Sequence, residues 1–150
     1  MVLEDIVKIL THIGAFEMKH SGRYLGDHLL NTMELLYKQG APEEVCIAGA
    51  FHSVYGTNAY INNAIDHSER EKYQLVIGKD VERLVYIFSI ANRPEGFESG
   101  DVLDFKTGEK IDVTYTELLH LRLMEAANLL EQKCSLLRYP NIHKTWHSLK

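Results

Sequence analysis

Apolar residues recur at helical spacing along most of the chain. Over Val2 to Ile13, the residues Val2, Leu3, Ile6, Val7, Ile9, Leu10 and Ile13 predict an amphipathic opening helix that ends near Gly14. A second run, Leu25 to Gln39, sets Leu25, His28, Leu29, Thr32, Leu35 and Leu36 on or near one face and meets Gly40, a residue suited to end a helix. His28 is therefore expected on the core side. Pro42 with Glu43 and Glu44 makes a good helix start: proline lacks an N–H that the first turn cannot use, and the carboxylates suit the positive end of the helix dipole. A buried helix from Val45 to about Val54 follows. Ser68 and Glu71 have capping-box spacing, and Val81, Leu84, Val85 and Phe88 form another helical stripe before Pro94.

The period changes between Val102 and Val113, where VLDF, KTGEK and IDV predict a small β-hairpin turned at Gly108. Thr114 and Glu117 form a second capping box, opening a long helix from Tyr115 to about Cys134 that sends Leu118, Leu121, Ala126, Ala127 and Leu130 toward the core. The tail after Pro140 has room for one more short helix. The loop Asn92 to Gly100, with Pro94, Gly96 and Gly100, is expected to be the most mobile segment. No repeat, low-complexity tract or linker divides the 150 residues. The expected fold is all-α, a single helical domain over 1–150 with the hairpin at 102–113 as an ornament.

Composition removes several classes of function. With 45% hydrophobic and 25% charged residues the chain has ordinary globular usage. A formal charge of -5 offers no broad basic surface, so nucleic acid is not an expected partner. No apolar run reaches the ~20 residues of a membrane span, and MVLEDIVKIL is too acidic for a signal peptide. A cytoplasmic location without membrane attachment is expected. Cys46 and Cys134 lack CxxC spacing and read as reduced, mostly buried thiols. The apolar faces of the first and last helices leave homo-oligomerisation open, although no heptad run supports a coiled coil.

The segment most informative about chemistry is Ser21 to Thr57, SGRYLGDHLLNTMELLYKQGAPEEVCIAGAFHSVYGT. One histidine, His28, lies within a helix, and another, His52, closes the next. A helical hairpin that brings two such imidazoles together makes half of a metal site. Asp27 sits about 100° round the helix from His28 and is expected in solvent. His20, Arg23 and Tyr24 immediately precede the first site histidine, where Arg23 could hold a phosphate and Tyr24 could stack a base; an ordinary polar loop is the equal alternative. His143 and His147 read as a solvated surface pair, and Trp146 as a packing residue for the tail.

The order Ser-Gly, Tyr, His, helix, Gly, apolar run, His resembles the hydrolase domain of RelA/SpoT-type enzymes, within the HD-type metal-dependent phosphohydrolases. Ser21, Gly22, Tyr24, His28, Gly40, Ala48 and His52 carry the resemblance. It extends through Ile77, Gly78, Val81, Leu84 and Val85 to MEAANLLEQ, where Asn128 stands at the family's last metal-binding aspartate and Gln132 at its asparagine. What the resemblance implies is an HD-like fold, a manganese-type ion held by two histidines and two aspartates, and attack of water on a phosphoester of a nucleotide or another small phosphorylated molecule.

This chain departs from that pattern where the acids should be. Ser53 replaces the first aspartate, Gly56 and Thr57 occupy an acidic pair, and Asn128 replaces the last aspartate. Neutral oxygens are poor substitutes for carboxylates at a hard cation. Glu125, three residues before Asn128 on the same helix, offers a repair: His28, His52 and Glu125 would form a two-histidine, one-carboxylate set able to hold Fe, Zn or Mn. The expectation is a small-molecule enzyme with His52, Ser53, Tyr55 and Glu125 as catalytic candidates and Arg23, Tyr24, Thr57 and Asn128 as ligand contacts. Without a metal, His52 among hydroxyls could still move protons. The alternative is a non-catalytic ligand-binding or regulatory module on the same fold.

Overall fold

The computed structural model describes residues 1–149 and is mainly α-helical. Its helices are α1 (Leu3–His12), α2 (Leu25–Gln39), α3 (Glu43–Phe51), α4 (Arg70–Ile77), α5 (Lys79–Ile90), α6 (Glu95–Ser99), α7 (Tyr115–Glu131) and α8 (Pro140–His147). Strands β1 (Lys19–His20) and β2 (Arg23–Tyr24) form one antiparallel pair. No helix among the described residues is long and apolar enough to cross a membrane.

Helix boundaries follow the local chemistry. Helix α2 ends at Gly40, which takes φ 89° and leaves its N–H to bond the last turn. Helix α3 begins after Pro42 with Glu43 and Glu44 in its first turn. The capping box of α7 is complete: Glu117 N–H donates to Thr114 Oγ1 at 3.1 Å, and Thr114 N–H donates to Glu117 Oε1 at 2.9 Å. The Ser68/Glu71 expectation is corrected, because Asp66 accepts from Ser68 N–H instead and α4 starts only at Arg70.

Helices α3 and α7 lie at the centre. Val45, Cys46, Ala48, Gly49, Ala50 and Phe51 of α3 are all buried, leaving it no polar stripe, and it packs against α2, α5 and α7. Gly49 lets α2 come close, since a Cβ there would strike Leu36. Leu25, Leu29, Leu36, Phe51, Val85, Phe88, Leu121 and Met124 are among the side chains of the resulting core.

Three loops differ in detail from expectation. Ser21 and Gly22 turn β1 into β2 with φ of 50° and 80°, a backbone that favours a short polar residue followed by glycine. This hairpin was not anticipated. The 102–113 hairpin is present in a reduced form: Leu103 bridges Lys110, Ile111 N–H donates to Val102 O at 2.9 Å, and Ala91 bridges Asp104. The segment expected to be mobile, 92–100, holds α6, with Phe97 fully buried and its carbonyl accepting from Arg122 Nε at 2.6 Å. Glu98 in turn accepts from the N–H groups of Asn141 and Ile142 at the start of α8. Cys46 is buried, whereas Cys134 is exposed, contrary to the expectation of two mostly buried thiols.

Candidate functional site

Helices α2 and α7 and the residue that caps α3 each send one polar side chain to a common buried point. His28 Nε2 lies 3.2 Å from His52 Nε2. Asn128 Oδ1 is 3.0 Å from the first nitrogen and 3.1 Å from the second. His28 is 0%, His52 1% and Asn128 4% exposed, so water does not reach these atoms freely.

Each of the three is aimed by a partner behind it. His28 Nδ1 meets Glu131 Oε1 at 2.5 Å, and because a carboxylate only accepts, the proton sits on Nδ1 and leaves a lone pair on Nε2. His52 Nδ1 donates to the Gly49 carbonyl at 2.8 Å, which likewise leaves Nε2 bare. Asn128 Nδ2 donates to Glu125 Oε2 at 2.9 Å, turning Oδ1 toward the histidines. Glu125 is itself fixed by a two-pronged ion pair with Arg93, Nε to Oε1 at 2.6 Å and Nη2 to Oε2 at 2.9 Å. Hydrogen-bond chemistry alone thus assigns the Asn128 amide and both tautomers.

Three acceptor lone pairs converging within 3.2 Å repel one another unless a proton or a cation lies among them. Burial opposes the proton. It pushes the His52 pKa well below its ordinary value, helped by the neighbouring His28, and it lowers His28 against the opposing pull of Glu131. A metal fits the spacing: ligand atoms at ~2.1 Å from one ion stand about 3.0–3.4 Å apart for right-angled to tetrahedral arrangements. The contacts behind the histidines, one to a carboxylate and one to a backbone carbonyl, are those that orient imidazole ligands.

A cavity of about 110 Å³ opens beside this point, lined among others by His20, Ser53, Thr57, Tyr60, Arg93 and Gln132. Ser53 Oγ and His20 Nδ1 are buried there without a hydrogen-bond partner. His20 stacks on His28, ring centroids 4.3 Å apart, and burial together with His28 and Arg23 lowers its pKa to about 4. Thr57 serves its own loop, Oγ1 accepting from the N–H groups of Ala59 and Tyr60. Gln132 Nε2 donates to Asn128 Oδ1 at 3.1 Å.

Other candidates lie elsewhere. Glu125 does not join the histidines as a ligand; its carboxylate is occupied by Arg93 and stands one amide behind them. Among the described residues no set of three or more His, Cys, Asp or Glu side chains is grouped to hold a metal, so the third ligand available is the Asn128 amide oxygen. Tyr55 points away from the pair, donating its hydroxyl to Glu82 at 2.8 Å beside Arg70, and it lines a separate cavity of about 390 Å³. Burial and Glu82 push its pKa up, so it stays protonated and its hydroxyl remains committed to Glu82. Arg23 is not a free phosphate contact, because both of its terminal nitrogens bind Glu131. Tyr24 is 45% exposed and does not line the cavity. Asp27 is exposed, Trp146 is buried under the tail, and the His143 and His147 rings lie 4.4 Å apart on the outer face of α8.

Sequence reasoning missed Glu131 and Arg93, and with them the ion pairs that aim Asn128 and His28. The signal for Glu131 was its position three residues after Asn128, on the same face of α7. Arg93 lies 32 residues from Glu125, and nothing local announces that pairing.

The fold and site define a mainly α-helical protein with a buried histidine–histidine–asparagine centre. The family described as Domain of unknown function (DUF6817) matches residues 9–93, more than half of the chain, and the chain belongs to that family. The matched region contains His20, His28, His52, Ser53 and Arg93 but stops before α7. No curated protein and no solved structure matches the chain.

Proposed function

We propose that this chain is a divergent HD-like enzyme that acts on a small molecule at a cation centre held by His28, His52 and Asn128. One observation carries the reading: three buried lone pairs converge within 3.2 Å, each aimed by its own hydrogen-bond partner. The order of Ser21-Gly22, His28 and His52 along the chain supports the HD-like part of the reading. Two imidazoles and a neutral amide oxygen suit zinc or ferrous iron better than magnesium or manganese, which favour anionic oxygens.

A divalent cation bound there supplies Lewis acidity and lowers the pKa of a coordinated water. The chain's own residues supply orientation and exclusion of solvent. Glu131 and the Gly49 carbonyl hold the proton of each neutral imidazole on Nδ1 so that Nε2 faces the centre, Glu125 keeps the Asn128 oxygen inward, and Phe88 packs against the His52 ring at 5.0 Å. The phosphoester chemistry of the resembling family receives less support, since both guanidinium groups near the site are already paired with carboxylates.

The reading is tested with zinc- or iron-loaded protein against small phosphoesters, amides and hydroxy acids. Turnover lost in His28→Ala, His52→Ala and Asn128→Ala, with helical content retained, is expected. Equal turnover in all four proteins overturns it. One observation favours a non-catalytic ligand-binding module instead: Glu125 and Glu131, the carboxylates beside the histidine centre, are each consumed by an arginine, which leaves no free acidic base. That module predicts ligand-induced stabilisation without turnover.

A further inference from the structure

The charges around the centre balance before any cation arrives. Arg93 is paired with Glu125 and Arg23 with Glu131, while the three converging atoms are neutral. A divalent cation held by His28, His52 and Asn128 would therefore bring its whole charge into a buried place whose only carboxylates, Glu125 and Glu131, are already balanced by arginines. Uncompensated buried charge is strongly unfavourable, so the anion must come with the ligand.

The cavity beside the centre already offers polar contacts. Ser53 Oγ and His20 Nδ1 line the same cavity, belong to residues only 2% and 7% exposed, and have no partner. A buried polar atom left without a partner is costly, and two in one small cavity mark a place where a ligand completes the hydrogen bonding. At about 110 Å³ the cavity is well under the ~300 Å³ at which drug-sized ligand pockets begin. It admits a head group of a few atoms and excludes a whole nucleotide. With both guanidinium forks occupied, the site lacks the donors that hold phosphate. One hydroxyl and one imidazole, in the tautomer that carries its proton on Nδ1, match the two oxygens of a carboxylate.

We infer that this cavity binds a small carboxylate, which balances the charge of the cation at His28, His52 and Asn128 and is held by Ser53 and His20. The inference rests on the cation reading above and names the ligand class for that site. Zinc-loaded full-length protein, desalted and followed by thermal unfolding and calorimetry, is titrated with formate, acetate, inorganic phosphate and adenosine monophosphate. Formate and acetate are expected to bind only the loaded protein, with phosphate and the nucleotide at least about ten-fold weaker. Ser53→Ala and His20→Asn are expected to keep full zinc content and to weaken acetate about ten-fold each, the loss of one hydrogen bond to a charged group. Acetate affinity unchanged in Ser53→Ala, or phosphate binding tighter than acetate, overturns the inference. Zinc uptake without any response to acetate overturns it while leaving the cation reading intact; failure to take up either zinc or ferrous iron overturns both.

Discussion

Replacing Glu125 by glutamine separates the two roles that sequence and structure assign to it. The carboxylate is 0% exposed and accepts two hydrogen bonds from Arg93, at 2.6 and 2.9 Å, and one from Asn128, at 2.9 Å. Glutamine keeps one acceptor oxygen, and because Arg93 donates to both carboxylate oxygens its NH2 faces a guanidinium N–H in either orientation, and the Asn128 amide as well in one of them. Arg93, only 7% exposed, keeps a bond to Asn58 Oδ1 at 3.0 Å but loses its counter-charge. Removing one partner of a buried ion pair costs about 3–5 kcal/mol. That is a large share of the ~5–15 kcal/mol total of an ordinary domain. Urea unfolding of metal-free wild type and Glu125→Gln at pH 7 measures the loss directly. A loss under about 1 kcal/mol, combined with abolished metal binding, would refute the pairing and restore Glu125 as a ligand.

Glu131 gives a second, pH-dependent prediction. Burial opposes its charge, but hydrogen bonds from Arg23, His28 and Asn31 more than offset this and hold its pKa at about 2 against an ordinary 4.5. The associated stability is present above pH 4.5 and disappears as pH falls toward 2. Glu131→Gln is expected to cost on the order of 2–3 kcal/mol at pH 7 and progressively less below pH 4.5, as followed by urea unfolding across pH; a difference that does not change with pH contradicts this. His20, lowered to about 4, is neutral when folded, so unfolding takes up a proton between pH 6.5 and 4 and stability falls as pH drops through that window. His20→Phe is expected to flatten that part of the stability profile. Gly56→Ala places a Cβ at φ +84°, 3.3 Å from the carbonyl oxygens of Tyr60 and Ile61, and is expected to lower stability by about 1–2 kcal/mol or more in thermal unfolding. Thr114→Ala removes the cap of α7 and is expected to cost about 1 kcal/mol.

The helices were legible because their cause is local. Gly40, Pro42 with its two glutamates, and Thr114 with Glu117 act within one turn, and each marks a boundary that the structure keeps. The meeting of His28 and His52 was expected from a helical hairpin, and Asn128 entered the site through the resemblance, whereas the third ligand expected from helix spacing, Glu125, stands behind Asn128 instead. The partners that aim them were not legible, because Arg93 to Glu125 and Arg23 to Glu131 join positions 32 and 108 residues apart and depend on how helices and loops rotate against one another. Tyr55 shows the same limit in reverse. It lies three residues from His52, yet past the end of α3 its hydroxyl turns to Glu82 rather than to the histidines. Gly56, which resemblance sets where an acid should be, is explained by its left-handed backbone within a tight loop, where a side chain would crowd the carbonyl oxygens of Tyr60 and Ile61.

Metal content measures the central claim most directly. Wild type, His28→Ala, His52→Ala and Asn128→Ala are incubated with Zn²⁺, Fe²⁺ and Mn²⁺, desalted and analysed for metal and for protein. The convergent lone pairs predict close to one zinc or iron per chain in wild type, little manganese, and loss of the metal in every variant. Wild type emerging metal-free from all three incubations, or binding that survives His28→Ala and His52→Ala, would contradict a cation centre at this site.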